Sequence, residues 1–112
     1  MKMLNSIILE GRMTNKPVLK VTPKGTAICT FSIETNGTYK KDNEFVQETS
    51  FFNVEAWARL AEQCEQYGIK GRGVRVVGRL KQDRWTGSDG KNYSKVKIVA
   101  EHLEFKPFIK KD

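Results

Sequence analysis

Along AICTFSIET (27–35) the side chains alternate. Ala27, Cys29, Phe31 and Ile33 point one way, and Ile28, Thr30, Ser32 and Glu34 the other. A period of two marks a strand with one face buried, and a helix cannot satisfy it. The same period returns in TSFFNVEAW (49–57), with Phe52, Val54 and Ala56 on the apolar face. It returns again in GVRVVGRLKQDRW (73–85), through Val74, Val76, Gly78 and Leu80, and in YSKVKIVAEHLEF (93–105), through Val96, Ile98 and Ala100. NSIILEG (5–11) is a further short β-type run. Only ARLAEQCEQYG (58–68) changes period. Leu60, Ala61, Cys64 and Tyr67 form one stripe of a short helix, and Gly68 is a natural stop.

The order is strand, strand, strand, helix, strand, strand. Five twisted strands with one short helix between the third and fourth predict an all-β, closed barrel of the OB type. Closure also removes free sheet edges. KVTPKGT (20–26) and TGSDGKN (86–92) carry turn signals, and the polar NGTYKKDNEFVQE (36–48) reads as a long turn or hairpin tip. A chain of 112 residues suits one domain, assigned to residues 1–107, with a short basic end at 108–112.

Lys and Arg total 20 against 13 for Asp and Glu, a formal charge of +7. Such a surface favours polyanions, nucleic acid among them. No apolar run approaches the roughly 20 residues that span a bilayer, and the N-terminus lacks a signal-peptide pattern. The expected location is cytoplasmic, with no membrane partner. Cys29 and Cys64 form no CxxC, and His102 is the single histidine, too little for a tetrahedral zinc site. Both cysteines read as buried free thiols. Asp42, Glu44, Asp83 and Asp89 lie mostly in loops with no histidine partner, so neither a metal nor a cofactor nor an enzyme is expected.

The aromatic residues carry the functional signal. Trp85 is an odd number of residues from Leu80, so in a strand without a bulge it shares a face with Arg75, Arg79 and Lys81. The partner strand adds Tyr93, Lys95 and Lys97. Phe51 and Trp57 also fall off the apolar face of their strand, and Tyr39 stands in the polar loop before Lys40 and Lys41. Trp57 could be core at a strand-to-helix junction, Phe51 could pack at a subunit interface, and Tyr39 could cap a hairpin tip. Each of these accounts covers one residue and none covers the set. Several aromatics on polar faces need a common reason. Unpaired nucleobases supply one, because each stack on an aromatic ring contributes on the order of 1–3 kcal/mol whatever the base. Neighbouring cations would track the phosphates. Duplex DNA hides its base faces and would leave most of this set unused.

The stretches NSIILEGRM, TPKGTAICTFSI, TSFFNVEAWARLAE, GIKGRGVRVVGRLK and RWTGSDGKNY, in this order and spacing, resemble the bacterial single-stranded DNA-binding protein (SSB) family across residues 3–107. The resemblance implies an OB-fold that assembles as a homotetramer, wraps single-stranded DNA without sequence specificity, and serves replication, recombination and repair. It implies base stacking on Tyr39, Phe51, Trp57 and Trp85, and phosphate contacts from Lys40, Arg59, Arg72, Lys81 and Arg84. Tyr39 and Phe51 stand where well-known relatives carry tryptophan. Family members usually continue into a flexible linker and an acidic tip, whereas this sequence ends in KPFIKKD. Tail-mediated recruitment of repair proteins is therefore not expected of it. A dimeric replication-restart adaptor of the primosomal replication protein N type is the competing resemblance, and RWTGSDGKNY matches it less well.

Overall fold

The computed structural model describes residues 2–107. The expected basic end at 108–112 lies outside the described residues. The chain forms β1 (Ile7–Met13), β2 (Val18–Val21), β3 (Ala27–Lys41), β4 (Glu44–Trp57), α1 (Arg59–Tyr67), β5 (Gly73–Thr86) and β6 (Asn92–Phe105). The strands run in the order β1-β5-β6-β4-β3, and a β1–β3 pairing at Arg12–Glu34 and Met13–Ile33 closes the ring. Five strands thus make the expected barrel. The short β2 lies outside the ring, paired to the first residues of β3. Its four residues are all exposed, so it has no buried face to announce it in sequence. Counting β2, the helix falls between β4 and β5.

The interior is apolar. Met13, Ile33, Val54, Val74, Val76 and Ile98 are each at most 1% exposed. Burying one such side chain contributes roughly 1.5–3 kcal/mol. Glycines stand where two backbones approach closely. A Cβ on Gly11 would collide with the Glu34 carbonyl of β3, and one on Gly78 with the Val99 carbonyl of β6. The helix adds Ala61 and Cys64 to the core and packs Leu60 against it, as its stripe predicts, but Tyr67 at the far end of the stripe is 46% exposed. Cys29 and Cys64 are free and buried. Burial raises both thiols, Cys64 to about 12, so they behave as small apolar fillers. Gly68 ends the helix as expected, but with φ −82 rather than a left-handed turn. The space left by its missing side chain is taken by Pro17 and the Cys64 carbonyl. Ala58, between β4 and the helix, has φ 54, an uncommon conformation for a residue with a Cβ.

Three apolar strand positions differ from the sequence reading, for one reason. Phe52, Leu80 and Val96 have the correct parity but are 40%, 46% and 56% exposed. The strands outrun the barrel, so their outer halves have no interior beneath them. The polar stretch 36–48 is likewise strand rather than a long turn. β3 and β4 pair from Ile28–Trp57 to Lys41–Glu44, leaving only Asp42 and Asn43 at the tip. Their φ values of 51 and 66 are those of a two-residue hairpin turn, which Asp and Asn tolerate. Two arms therefore project, β3–β4 and β5–β6, and the molecule measures 49 Å along its long axis against 36 Å across.

A bulge sits in β6, not β5. Val77 pairs with His102 and Gly78 with Ala100, so Glu101 is the extra residue. The parity of β5 from Gly73 to Thr86 survives, while that of β6 flips and Leu103 becomes a core residue.

Candidate nucleic-acid interface

Register assembles one outer wall from three strands. Trp85 lies opposite Tyr93, Asp83 opposite Lys95, Lys81 opposite Lys97, and Arg79 opposite Val99. Val99 pairs in turn with Glu55 on β4. Alternation then puts Phe51, Asn53, Glu55 and Trp57 on this face of β4. The wall thus carries Phe51, Trp57 and Trp85, which are 63%, 40% and 50% exposed, beside Lys81 and Lys95. Trp57, Lys81, Arg79, Glu55 and Val99 line one open cleft, and Trp85, Tyr93 and Arg84 line another.

Several contacts fix the rings. Trp85 and Tyr93 stack with centroids 6.0 Å apart and planes 20° from parallel. The Tyr93 hydroxyl donates to Asp89 across the 86–92 turn, and the Lys91 N–H donates to the other Asp89 oxygen at 3.0 Å. The Tyr93 bond, with the Lys91 N–H, holds the Asp89 carboxyl below its usual range, and the same bond raises the Tyr93 hydroxyl. Trp57 Nε1–H donates to Glu55 Oε1 at 2.7 Å. Lys97 Nζ donates to Glu55 Oε2 at 2.7 Å and pairs with Asp83 Oδ2 at 2.8 Å. Desolvation pulls the Lys97 ammonium down, and its bonds to Asp83 and Glu55 more than reverse that, leaving it raised. The Lys97 hydrogen bond in turn holds Asp83 low.

The other sequence-predicted residues are placed differently. Tyr39 is 46% exposed but lies opposite Val46, on the alternate face of its arm from Phe51. Lys40, opposite Phe45, shares the Phe51 face. Arg59 opens the helix two residues after Trp57 and is exposed. Arg84 is exposed on the alternate face from Trp85, its guanidinium donating twice to Gln82 Oε1 at 2.9 and 3.2 Å. Arg72 precedes the opposite end of β5 from Trp85. Its Nε donates to the Lys106 carbonyl at 2.8 Å, and its guanidinium lies 5.9 Å from the Phe105 centroid. On the same face as the wall, Arg75 pairs with Glu10 and Glu104, and Arg79 with Glu101.

Two aromatics escaped the sequence-predicted set. Phe45 is 80% exposed and shares the Phe51 face. Its even spacing from Phe51 was a signal only if the strand continued through the polar stretch. Tyr93 was read as outward-facing, but its stacking on Trp85 depends on hairpin register. Among the described residues no group of three or more His, Cys, Asp or Glu side chains could hold a metal ion, and no helix is long and apolar enough to cross a membrane.

Comparison with known proteins places this geometry in a family. Residues 4–106 match the Single-strand binding protein family. The chain is 41% identical over 102 residues to the single-stranded DNA-binding protein of Aquifex aeolicus, covering 90% of this chain and 69% of that one. It is 40% identical over 101 residues to the single-stranded DNA-binding protein of Treponema pallidum, covering 90% of this chain but only 57% of the relative. The solved Plasmodium falciparum SSB complex with ssDNA superposes with a TM-score of 0.89 at 26% identity, covering 96% of this chain and 98% of that one. The barrel, its helix and its projecting arms are those of the single-strand binding protein family, to which this chain belongs.

Proposed function

We propose that the protein binds single-stranded DNA without sequence preference. Bases stack on Phe51, Trp57 and Trp85, with Tyr39 contributing from the other face of its arm. Phosphates are tracked by Lys40, Arg59, Lys81 and Arg84. Arg72 belongs to this set only where the strand passes the far end of β5. One observation carries the reading: three exposed aromatics, Phe51 and Trp57 of β4 and Trp85 of β5, share a wall with Lys81 and Lys95. Stacking is indifferent to base identity, and ionic contacts to phosphate are indifferent to sequence. The action is binding, without catalysis or a cofactor. Its roles would be to protect single strands in replication, recombination and repair.

Assembly as a homotetramer is part of the proposal. Leu80 and Val96 are exposed on the face of the β5–β6 arm away from Trp85, an apolar surface suited to burial against another copy. Four barrels at roughly 4–16 nucleotides each would occlude several tens of nucleotides. A solution mass of four chains supports the assembly, and a dimer would favour the adaptor reading.

The binding test is tryptophan fluorescence during titration with oligo(dT) at low and high salt, with a matched duplex as control. Strong quenching by the single strand, little by the duplex, and affinity that falls steeply with salt are expected. Binding without quenching would take both tryptophans off the binding wall.

A further inference from the structure

The wall contains a feature that a purely cationic track would lack. Glu55 and Asp83 sit among its lysines. The side chains of Glu55 and Lys97 are only 13% and 18% exposed, so their 2.7 Å contact is screened less than a surface pair. Glu55 uses both oxygens. One accepts the Trp57 indole N–H at 2.7 Å, and the other accepts Lys97 at 2.7 Å. Asp83 holds the same ammonium from β5 at 2.8 Å. The sites lie on adjacent strands, with Glu55 opposite Val99 and Asp83 opposite Lys95, so the three charges span β4, β6 and β5.

Two consequences follow from that geometry. An indole free to turn about its side-chain bonds loses conformational freedom when a base stacks on it, and an indole already held by its N–H loses less. A lysine held by two carboxylates has no net charge to offer a phosphate, and the trio carries one negative charge.

We propose that Glu55 is a positioning residue of the binding wall: it fixes the Trp57 ring for stacking and, together with Asp83, keeps Lys97 out of the phosphate track. This rests on the single-strand reading above. The phosphodiester chain then passes over Lys81 and Lys95, and the strand presents bases rather than phosphates to the Glu55–Asp83 spot.

Glu55→Gln and Glu55→Ala separate the two roles. Glutamine keeps an acceptor for the indole and loses the charge, while alanine loses both. In a Trp85→Phe background Trp57 is the sole tryptophan, and its fluorescence anisotropy decay reports ring motion without DNA. Glu55→Ala should speed that decay and weaken oligo(dT) binding about two- to tenfold, the range of one net hydrogen bond. Glu55→Gln should restore the slow decay. The Glu55→Gln/Asp83→Asn pair releases Lys97, so the slope of log affinity against log salt should steepen by about 0.7, one phosphate on a single strand. Adding Lys97→Ala should return it. A decay indifferent to Glu55→Ala, or a slope indifferent to the charge-removing pair, overturns the proposal. If Trp57→Ala weakens oligo(dT) binding while the Glu55 variants match their parent, the proposal fails and the wall reading stands. If Trp57→Ala binds like the parent, the wall reading fails and takes the proposal with it.

Discussion

β4 has two halves that share one hydrogen-bonded ladder and obey opposite rules. In the inner half Val54 and Ala56 are at most 1% exposed. On the same face in the outer half Phe52 is 40% exposed. β5 repeats the contrast, with Val74 and Val76 fully buried and Leu80 half exposed. The β3–β4 ladder runs unbroken through both halves of β4, so that ladder does not distinguish them. What changes is whether a second layer lies beneath the strand. Inside the barrel an apolar side chain is part of the fold. On an arm the same type of side chain is left to meet something other than its own core.

The sharpest way to break this contrast is to truncate on each side of it. Ile33→Ala, in the barrel at 0% exposure, should cost about 2–5 kcal/mol of folding stability, read from the urea midpoint. Trp85→Ala, on an arm, should leave that midpoint nearly in place and weaken oligonucleotide binding by about 1–3 kcal/mol. The loss should be similar for dT, dC and dA oligomers. A loss confined to one base would point to an edge-reading contact instead of stacking.

A smaller effect tests the two faces of one arm. Phe45 shares the Phe51 face and Tyr39 does not. Phe45→Ala should therefore weaken binding by about 1 kcal/mol, the low end for one stacked base, and Tyr39→Ala by less. Equal losses would mean that DNA wraps both faces of the arm.

The smallest effect concerns acid. Asp83 is held below its usual value of 3.8, first by the Lys97 hydrogen bond. A carboxyl whose pKa is depressed by folding stabilises above its unfolded value, and that share is lost as pH falls through the folded value. Stability should thus decline below about pH 4, and Asp83→Asn should decline less across the same window. Urea midpoints at pH 7 and pH 3 would read the difference.

The barrel was legible because alternation reports a buried face directly. Ala27 to Ile33, Val54, Ala56, Val74 and Val76 all announce the side that faces inward. The arms were less legible for the same reason. Where neither face is buried, parity is correct but says nothing about exposure, so Phe52, Leu80 and Val96 read as core. β2 carried no signal because all four residues are exposed. The hairpin tip was hidden by polarity, although Asp42 and Asn43 suit its positive φ angles. Parity alone put Phe51, Trp57 and Trp85 off the core side. It did not reveal that Arg72 is engaged by the Lys106 carbonyl and Phe105, nor that Lys97 reaches Glu55, since these are contacts between segments distant in sequence.

The parallel seam between β4 and β6 has a consequence for the order of events during synthesis. It joins Val54 to Ile98 and Glu55 to Val99, and no hairpin can form it. The β3–β4 hairpin is complete once Trp57 has left the ribosome, but its inward side stays uncovered until the last strand arrives. Such long-range closure is slow compared with forming a hairpin. For that interval the nascent chain presents an apolar ribbon flanked by lysines at the hairpin tip, a combination suited to capture by a chaperone before it meets DNA.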